Sequence, residues 1–564
     1  MSTTRRELLR WSAATSLLSV GFSAPAWSTS LDGASQDRGA PPGDLLRAVK
    51  SAMDDELLAS GAPGMSLGLL GPNGWSATLE AGFADVGTRA PVTARHRFEI
   101  GSISKSFVGL AIYILVERGA LDLHTDLRRL MPELRWPEAA ITIEHLLNHT
   151  SGLPTNAPLF PEPTGGKLWS GFTPGTRFSY CNTGLNILAF VIERVTGQNY
   201  PAALRTLVLD RLQMADSATA IVTADRLRYP TAYIPFAENR PYFVGAPLAP
   251  APWLEYDGGA GSIGATAADM VRYLAFLSRA VSGDASPLLG PEFGRRWITP
   301  VTAAHQFGAD ATYANGLLIE GSEQAKSLSH TGGTYSFSSA IMHDIESGIG
   351  CFASVNFGRT PYRPKALVKH VVDLAKASFA SRPLPDRLRP VAQTVGSKLV
   401  GRYVSDRLGS FEISLAPSGP VIDAGGTSGR LADMSATEFW ADHPLFADHF
   451  LSEGPQPGQL WWGGHLVGRM PGVKAPPPSP DLTRYVGRYR NNDPWWDPIS
   501  IVVRGDKLIM EGLGELVRQD DGSWRLKDSA FAMERIWFDG RVNDHMSSLS
   551  FSGIDFLRNT AYAA

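Results

Sequence analysis

The run Ser104-Lys105-Ser106-Phe107-Val108-Gly109-Leu110-Ala111-Ile112-Tyr113-Ile114-Leu115 is apolar almost all round at helical spacing. A helix of that kind has to lie inside a domain, wrapped by other elements. The chain has 564 residues, enough for more than one domain and for a large core. The buried helix carries one basic side chain, Lys105, at its N-terminus, three residues after Ser102, and residues three apart share a helix face. Desolvation and the positive end of the helix dipole both push an ammonium there towards its neutral form. Lys105 is thus poised to take or hand on the proton of Ser102, whereas Ser104 points away from that face.

Hydrophobic periodicity predicts a helix over Leu45 to Ser60, a hairpin with strands Met65 to Leu70 and Trp75 to Phe83, and further helices at Ile143 to Leu147, Leu185 to Val195 and Ala267 to Ala280. Strands return at Ser336 to His343 and Gly350 to Asn356, and a helix over Pro364 to Phe379 closes the unit. A hairpin at each end with helices between implies one antiparallel sheet shared by the two ends, an α+β arrangement spanning residues 45 to 380. Beyond Pro383, Pro385 and Pro390 the pattern turns to short alternating stretches, all-β in character. Val400-Gly401-Arg402-Tyr403 recurs as Val486-Gly487-Arg488-Tyr489, each copy opening a β-rich segment, with the stiff linker Ala475-Pro476-Pro477-Pro478-Ser479-Pro480 between them. This predicts two related small barrels, over residues 399 to 472 and 481 to 564.

The formal charge is −3, so no basic excess favours nucleic acid. Cys181 and Cys351 are read as buried free thiols, and no cofactor or metal site is expected. No uncharged apolar run of 18 residues follows residue 30, so no membrane span is expected in the mature chain. Before it, Thr4-Arg5-Arg6-Glu7-Leu8-Leu9, an uncharged run from Trp11 and the small-x-small site Ala24-Pro25-Ala26 read as a twin-arginine signal over residues 1 to 26. Residues 27 to 44 read as a flexible leader, and the mature protein is expected to be bacterial and periplasmic or secreted.

Two further motifs join Ser102-Ile103-Ser104-Lys105. Phe178-Ser179-Tyr180-Cys181-Asn182 immediately precedes a predicted helix, and His330-Thr331-Gly332-Gly333 is placed just before a strand, where glycines let backbone N–H groups approach a ligand. In the order S-x-x-K, Y-x-N, H-T-G the chain resembles the penicillin-recognising serine hydrolases, which include class C β-lactamases, D,D-carboxypeptidases and D-aminopeptidases. The resemblance covers residues 45 to 380 and takes in Ile143 to Leu153, with its His149-Thr150-Ser151-Gly152, and Gly258 to Met270.

It implies a β-lactamase-like catalytic domain in which Ser102 is acylated, Lys105 and Tyr180 exchange its proton, and Asn182 orients substrate or Lys105. His330 stands where β-lactamases usually have Lys, and the backbone N–H groups of Ser102 and Gly333 form the oxyanion hole, on the strand that also carries Thr331 and Gly332. Whether Lys105 or Tyr180 is the base stays open. The layout, a catalytic domain followed by two barrels, looks like that of D-aminopeptidases, in which a loop of the last domain restricts the active site. Trp495 and Trp496, in a Pro-stiffened loop, are candidates for such a lid.

The resemblance therefore implies a peptidase for short or D-residue-containing peptides. Alternatives are a D,D-carboxypeptidase, an esterase or amidase, a β-lactamase, or a non-catalytic penicillin-binding sensor or adaptor. Ser66, in a G-x-S-x-G pattern, reads as a strand residue, because a hairpin turn follows it. His145 and His149, four apart, lack the H-E-x-x-H glutamate, and Asp442-His443 and Asp448-His449 read as solvated loops.

Overall fold

The computed structural model describes residues 43–559 except 238–239, 323–324, 359–361, 389–398, 418, 436 and 528–532. The expected signal, residues 1 to 26, and the leader up to residue 42 lie outside the described residues.

Helix α1 (Leu45–Ser60) leads into strands β1 (Gly64–Leu70) and β2 (Ser76–Asp85). These join β3 (Ala90–Pro91), β4 (Thr302–Ala303), β5 (Thr312–Ala314), β6 (Leu317–Glu320), β7 (Ser327–Gly333), β8 (Ser338–Asp344) and β9 (Gly350–Val355). The nine strands run in the order β3-β2-β1-β9-β8-β7-β6-β5-β4. Strand β1 pairs antiparallel with β9, Leu67 opposite Ala353, so the two ends of the domain share the sheet as the hairpin pattern predicts. Side chains alternate across it. Met65, Leu67, Ala340 and Ala353 face one core with α1 and α5 (Lys365–Phe379), while Ile341 and Phe352 face the other.

That second core surrounds α2 (Ser104–Glu117), whose residues from Ser104 to Leu115 are all buried. Its wrapping comes from α3 (Asn182–Thr196) and α4 (Ala267–Val281), and Phe107 stacks on Tyr273 of α4 at 4.3 Å between ring centroids. Each large apolar side chain buried there contributes about 1.5–3 kcal/mol relative to exposure.

Two closed barrels of eight antiparallel strands each follow, from Gly401–Ser405 to His465–Gly468 and from Gly487–Arg490 to Ile554–Arg558. The repeated G-R-Y has the same physical job in both. Tyr403 and Tyr489 are wholly buried, and their hydroxyls donate to the carbonyls of Leu399 (2.8 Å) and Tyr485 (2.9 Å). The glycines make room for Arg469 and Arg558: a Cβ on Gly487 would stand 2.6 Å from Arg558 Nε.

The two histidine pairs expected in solvated loops are placed otherwise. His443 is buried and meets Thr427 Oγ1 at 2.7 Å, and His449 Nδ1 lies 2.7 Å from Glu511 Oε2 of the other barrel. His443 is held inside its own barrel, where Nε2 also faces the Ala424 carbonyl and the ring meets Phe446, whereas His449 is drawn into the inter-barrel contact, in which Glu511 also accepts from the Phe450 N–H. Trp495 and Trp496 part company: Trp496 packs on its own barrel core, whereas Trp495 lies between Tyr256 and Tyr335 of the catalytic domain, 6.2 and 6.3 Å between centroids.

Candidate active site

A single 3-10 turn, Gly101–Ile103, delivers the chain into α2 with Ser102 half-buried at the junction. The turn is tight because Gly101 takes φ +52°, and a Cβ there would stand 2.6 Å from the nitrogen of Gly333. Ile100 pins it from two sides, donating to the Ile263 carbonyl (2.9 Å) and accepting from Ser339 Oγ (2.9 Å). One turn on, Lys105 is wholly buried with Nζ 2.7 Å from Ser102 Oγ and 2.7 Å from the Ala260 carbonyl. Burial pushes its ammonium well below the usual lysine range. In its neutral form the amine donates one N–H to Ala260 and has its lone pair for the Ser102 proton. The other serines have different surroundings. Ser66 is buried in β1, as its strand reading predicts, and Ser104 Oγ accepts the Ile263 N–H at 3.2 Å.

Tyr180 sits on the loop before α3, its ring centroid 4.9 Å from Lys105 Nζ. Burial drives the phenol upwards, a side-chain hydrogen bond with Ser102 opposing it, so the hydroxyl keeps its proton at neutral pH. Asn182 opens α3; its Nδ2 donates to Asn156 Oδ1 (2.8 Å), and its Oδ1 is buried without a hydrogen-bond partner among the described residues. The Ala260 carbonyl, not Asn182, holds the Lys105 amine.

The H-T-G-G motif stands just before strand β8, as expected, and is itself the end of strand β7: Gly332 lies so close to the Ile100 carbonyl that no Cβ fits, and pairing continues to Gly333 opposite Ser338. Thr331 is half-buried beside them. His330, buried, belongs to a chain of hydrogen bonds whose direction can be read link by link. The Cys181 N–H donates to His149 Nδ1 (2.9 Å), so His149 carries its proton on Nε2 and donates it to Tyr313 Oη (3.2 Å). The Tyr313 hydroxyl then donates to His330 Nε2 (3.2 Å), and His330 Nδ1–H donates to the Thr331 carbonyl (2.7 Å). Both imidazoles are neutral. Desolvation, with Lys105 nearby, takes His330 down to about 3 and holds His149 well below its ordinary value. His149 lies beyond the helix Ile143–Leu147 at φ +56°, so it shares no helix face with His145.

Two participants carry no motif in the sequence. Tyr313, on β5, is the hydroxyl between the two histidines. Arg363, just before α5, lays its guanidinium against Gly333 in the space a side chain there would fill, and donates to Ser338 Oγ (3.2 Å) and to the Tyr362 carbonyl (2.6 Å).

The sequence model of the family described as Beta-lactamase matches residues 47–371, the whole span that carries these groups. The chain belongs to that family. This beta-lactamase family protein is a serine hydrolase. It is similar to a penicillin-binding protein of Bacillus subtilis (strain 168), 24% identical over 355 residues that cover 57% of this chain and 75% of the relative. Among solved structures it shares the fold of the octameric penicillin-binding protein homologue from Pyrococcus abyssi (TM-score 0.53, 20% identity, 83% of this chain and 98% of that one). It also shares that of the D-amino acid amidase from Ochrobactrum anthropi SV3 complexed with L-phenylalanine amide (TM-score 0.51, 24% identity, 60% and 99%).

Proposed function

We propose that this beta-lactamase family protein is an exported peptidase or amidase that cleaves short or D-residue-containing peptides through an acyl-enzyme on Ser102. The observation that carries the reading is the 2.7 Å contact between Ser102 Oγ and a wholly buried lysine amine. Neutral Lys105 takes the Ser102 proton as Oγ attacks the amide carbonyl, the Ser102 and Gly333 N–H groups receive the oxyanion, and Tyr180 passes its phenolic proton to the leaving nitrogen as the C–N bond breaks and is reprotonated from Lys105. Water then releases the acyl group by the reverse sequence.

His330 lacks fixed positive charge, which argues against pairing with a β-lactam carboxylate. Trp495, a neighbour of Tyr256, supports a small acyl pocket, since Tyr256 and the Ala260 N–H both donate to Asn186 Oδ1, and the Ala260 carbonyl holds Lys105. The neighbouring D-amino acid amidase supports the amide substrate by analogy of fold. One observation favours a second reading: the Arg363 guanidinium beside Gly333 suits a substrate whose leaving group bears a carboxylate, as in a D,D-carboxypeptidase.

The test is intact-mass labelling with a fluorophosphonate and a panel of p-nitroanilides of D- and L-amino acids, C-terminal D-residue peptides, short esters and nitrocefin. Ser102→Ala abolishes labelling and turnover, and labelling of that variant at the wild-type rate overturns the reading. Preferential turnover of C-terminal D-residue peptides, lost in Arg363→Ala, decides for the second reading. For export, replacing Arg5 and Arg6 by Lys retains the precursor in the cytoplasm, and unchanged periplasmic recovery rejects the twin-arginine route.

A further inference from the structure

The last barrel enters the catalytic domain between its strands Trp524–Leu526 and Ile536–Val542, with Met533 and Glu534, each 2% exposed. Met533 is clamped by three catalytic-domain residues. Trp169 Nε1–H donates to its carbonyl (2.9 Å), Ser179 Oγ–H to its sulfur (3.6 Å), and Gly171 packs so closely that a Cβ there would stand 2.5 Å from Met533 Cβ. Trp537 closes edge-on against Trp169 at 5.3 Å. Two charged side chains flank this plug: the Arg535 guanidinium lies over the Trp169 ring at 5.6 Å, and Glu534 Oε1 accepts the Thr155 N–H at 2.7 Å while its Oε2 accepts the Ser552 hydroxyl.

Thr155 is no ordinary loop residue. Its Oγ1–H donates to the Tyr180 carbonyl (3.2 Å), and its own carbonyl accepts the N–H groups of Asn182 (2.8 Å) and Thr183 (3.0 Å). Three hydrogen bonds from one residue therefore hold the segment that places Tyr180 against Ser102 and Lys105, and the fourth ties that residue to another domain. A carboxylate is expensive to bury, and this one divides its two oxygens between Ser552 of its own barrel and Thr155 of the catalytic domain. We infer that Glu534 is a positioning residue for catalysis, a latch through which the last barrel sets the Thr155 hub and so the position of Tyr180.

This inference rests on the hydrolase reading of Ser102, and its test separates the two. Full-length wild type, Glu534→Ala, Glu534→Gln and Thr155→Val are compared with p-nitrophenyl acetate, each rate divided by the concentration of fluorophosphonate-labelled sites so that loss of folded protein drops out. Glu534→Ala is expected to lose on the order of tenfold in kcat per labelled site with KM nearly unchanged, because the reacting groups are displaced and not the binding surface. Glu534→Gln keeps an acceptor for the Thr155 N–H and recovers most of the rate. Thr155→Val, which removes the Oγ1 bond to the Tyr180 carbonyl and keeps the Thr155 N–H for Glu534, loses kcat in the same way, and the Glu534→Ala/Thr155→Val double variant loses less than the product of the two. Wild-type kcat per labelled site in Glu534→Ala overturns the latch and leaves the hydrolase reading intact. A wild type that is not labelled at Ser102 overturns the hydrolase reading, and the latch with it. Should Glu534→Ala yield no labelled protein, Thr155→Val decides alone, and unchanged kcat there overturns the latch.

Discussion

Replacing Tyr313 by phenylalanine removes one oxygen from the core and breaks the hydrogen-bond chain at its middle. Tyr313 is wholly buried, and its hydroxyl is both the acceptor for His149 Nε2–H and the donor to His330 Nε2, each at 3.2 Å. Phenylalanine fills the same space, so no cavity forms. What is lost is two partners: one buried donor and one buried acceptor are left unmet, at about 1–3 kcal/mol each. Contacts of 3.2 Å lie at the long end of the hydrogen-bond range, so about 2–4 kcal/mol in all is the expected loss. Urea unfolding at pH 7, followed by a tertiary signal of the catalytic domain, measures it. Nitrogen NMR of histidine-labelled protein tests the wiring directly. In the wild type His149 is the Nε2–H tautomer and His330 the Nδ1–H tautomer, and in Tyr313→Phe the His330 ring, no longer offered a proton at Nε2, is free to exchange tautomers. A stability loss under about 0.5 kcal/mol, the size of an indifferent surface change, refutes the reasoning, as does a wild-type His330 that carries its proton on Nε2.

Lys105→Ala and Tyr180→Phe are each expected to cost on the order of 10² or more in kcat, and the acid limb of kcat/KM in the wild type falls far below the pH at which a free lysine titrates, with activity flat to alkaline pH because Tyr180 stays protonated. A limb near pH 10 rejects Lys105 as the base. Stability from pH 6.5 to 5 tests two buried groups of opposite sign. His330, held at about 3 against 6.5 unfolded, loses about 2 kcal/mol on acidification, because the unfolded chain gains the proton first. Glu99, raised to about 7 by burial, is already protonated in the folded protein and offsets about as much, so Glu99→Gln should lose stability more steeply than wild type over that interval, and parallel curves refute the assignment. Trp495→Ala should raise kcat/KM for bulky acyl groups relative to D-alanine p-nitroanilide; an unchanged ratio removes Trp495 from the pocket.

What the sequence discloses and what it hides divide along contact distance in the chain. Ser102 and Lys105 meet within one helical turn, so their spacing and the all-round apolarity of α2 suffice to bring them together and to imply a depressed amine. The sheet is legible for a similar reason, since its two hairpins are local and their patterning leaves few ways to join. Tyr313 meets His149 across 164 residues, in a stretch, Thr312-Tyr313-Ala314, whose composition is that of any short strand. Thr155 meets Glu534 across 379, and His449 meets Glu511 across the two barrels, which is why a histidine beside an aspartate looks solvated in the sequence. The H-T-G-G motif precedes a strand as its sequence suggests, and what the sequence hides is that the motif is itself paired strand. Two glycines look like a loop because they weaken a strand, yet here one is demanded by the neighbouring Ile100 carbonyl and the other by the Arg363 guanidinium. The reacting pair is thus written locally, while the groups that hold His330 neutral, bring a cation to the end of β7 and place Tyr180 are assembled only by the fold. Relatives that share the S-x-x-K signature can therefore differ in substrate without a change in any motif, and Tyr313, Arg363 and Glu534 are where such a difference would be sought in this chain.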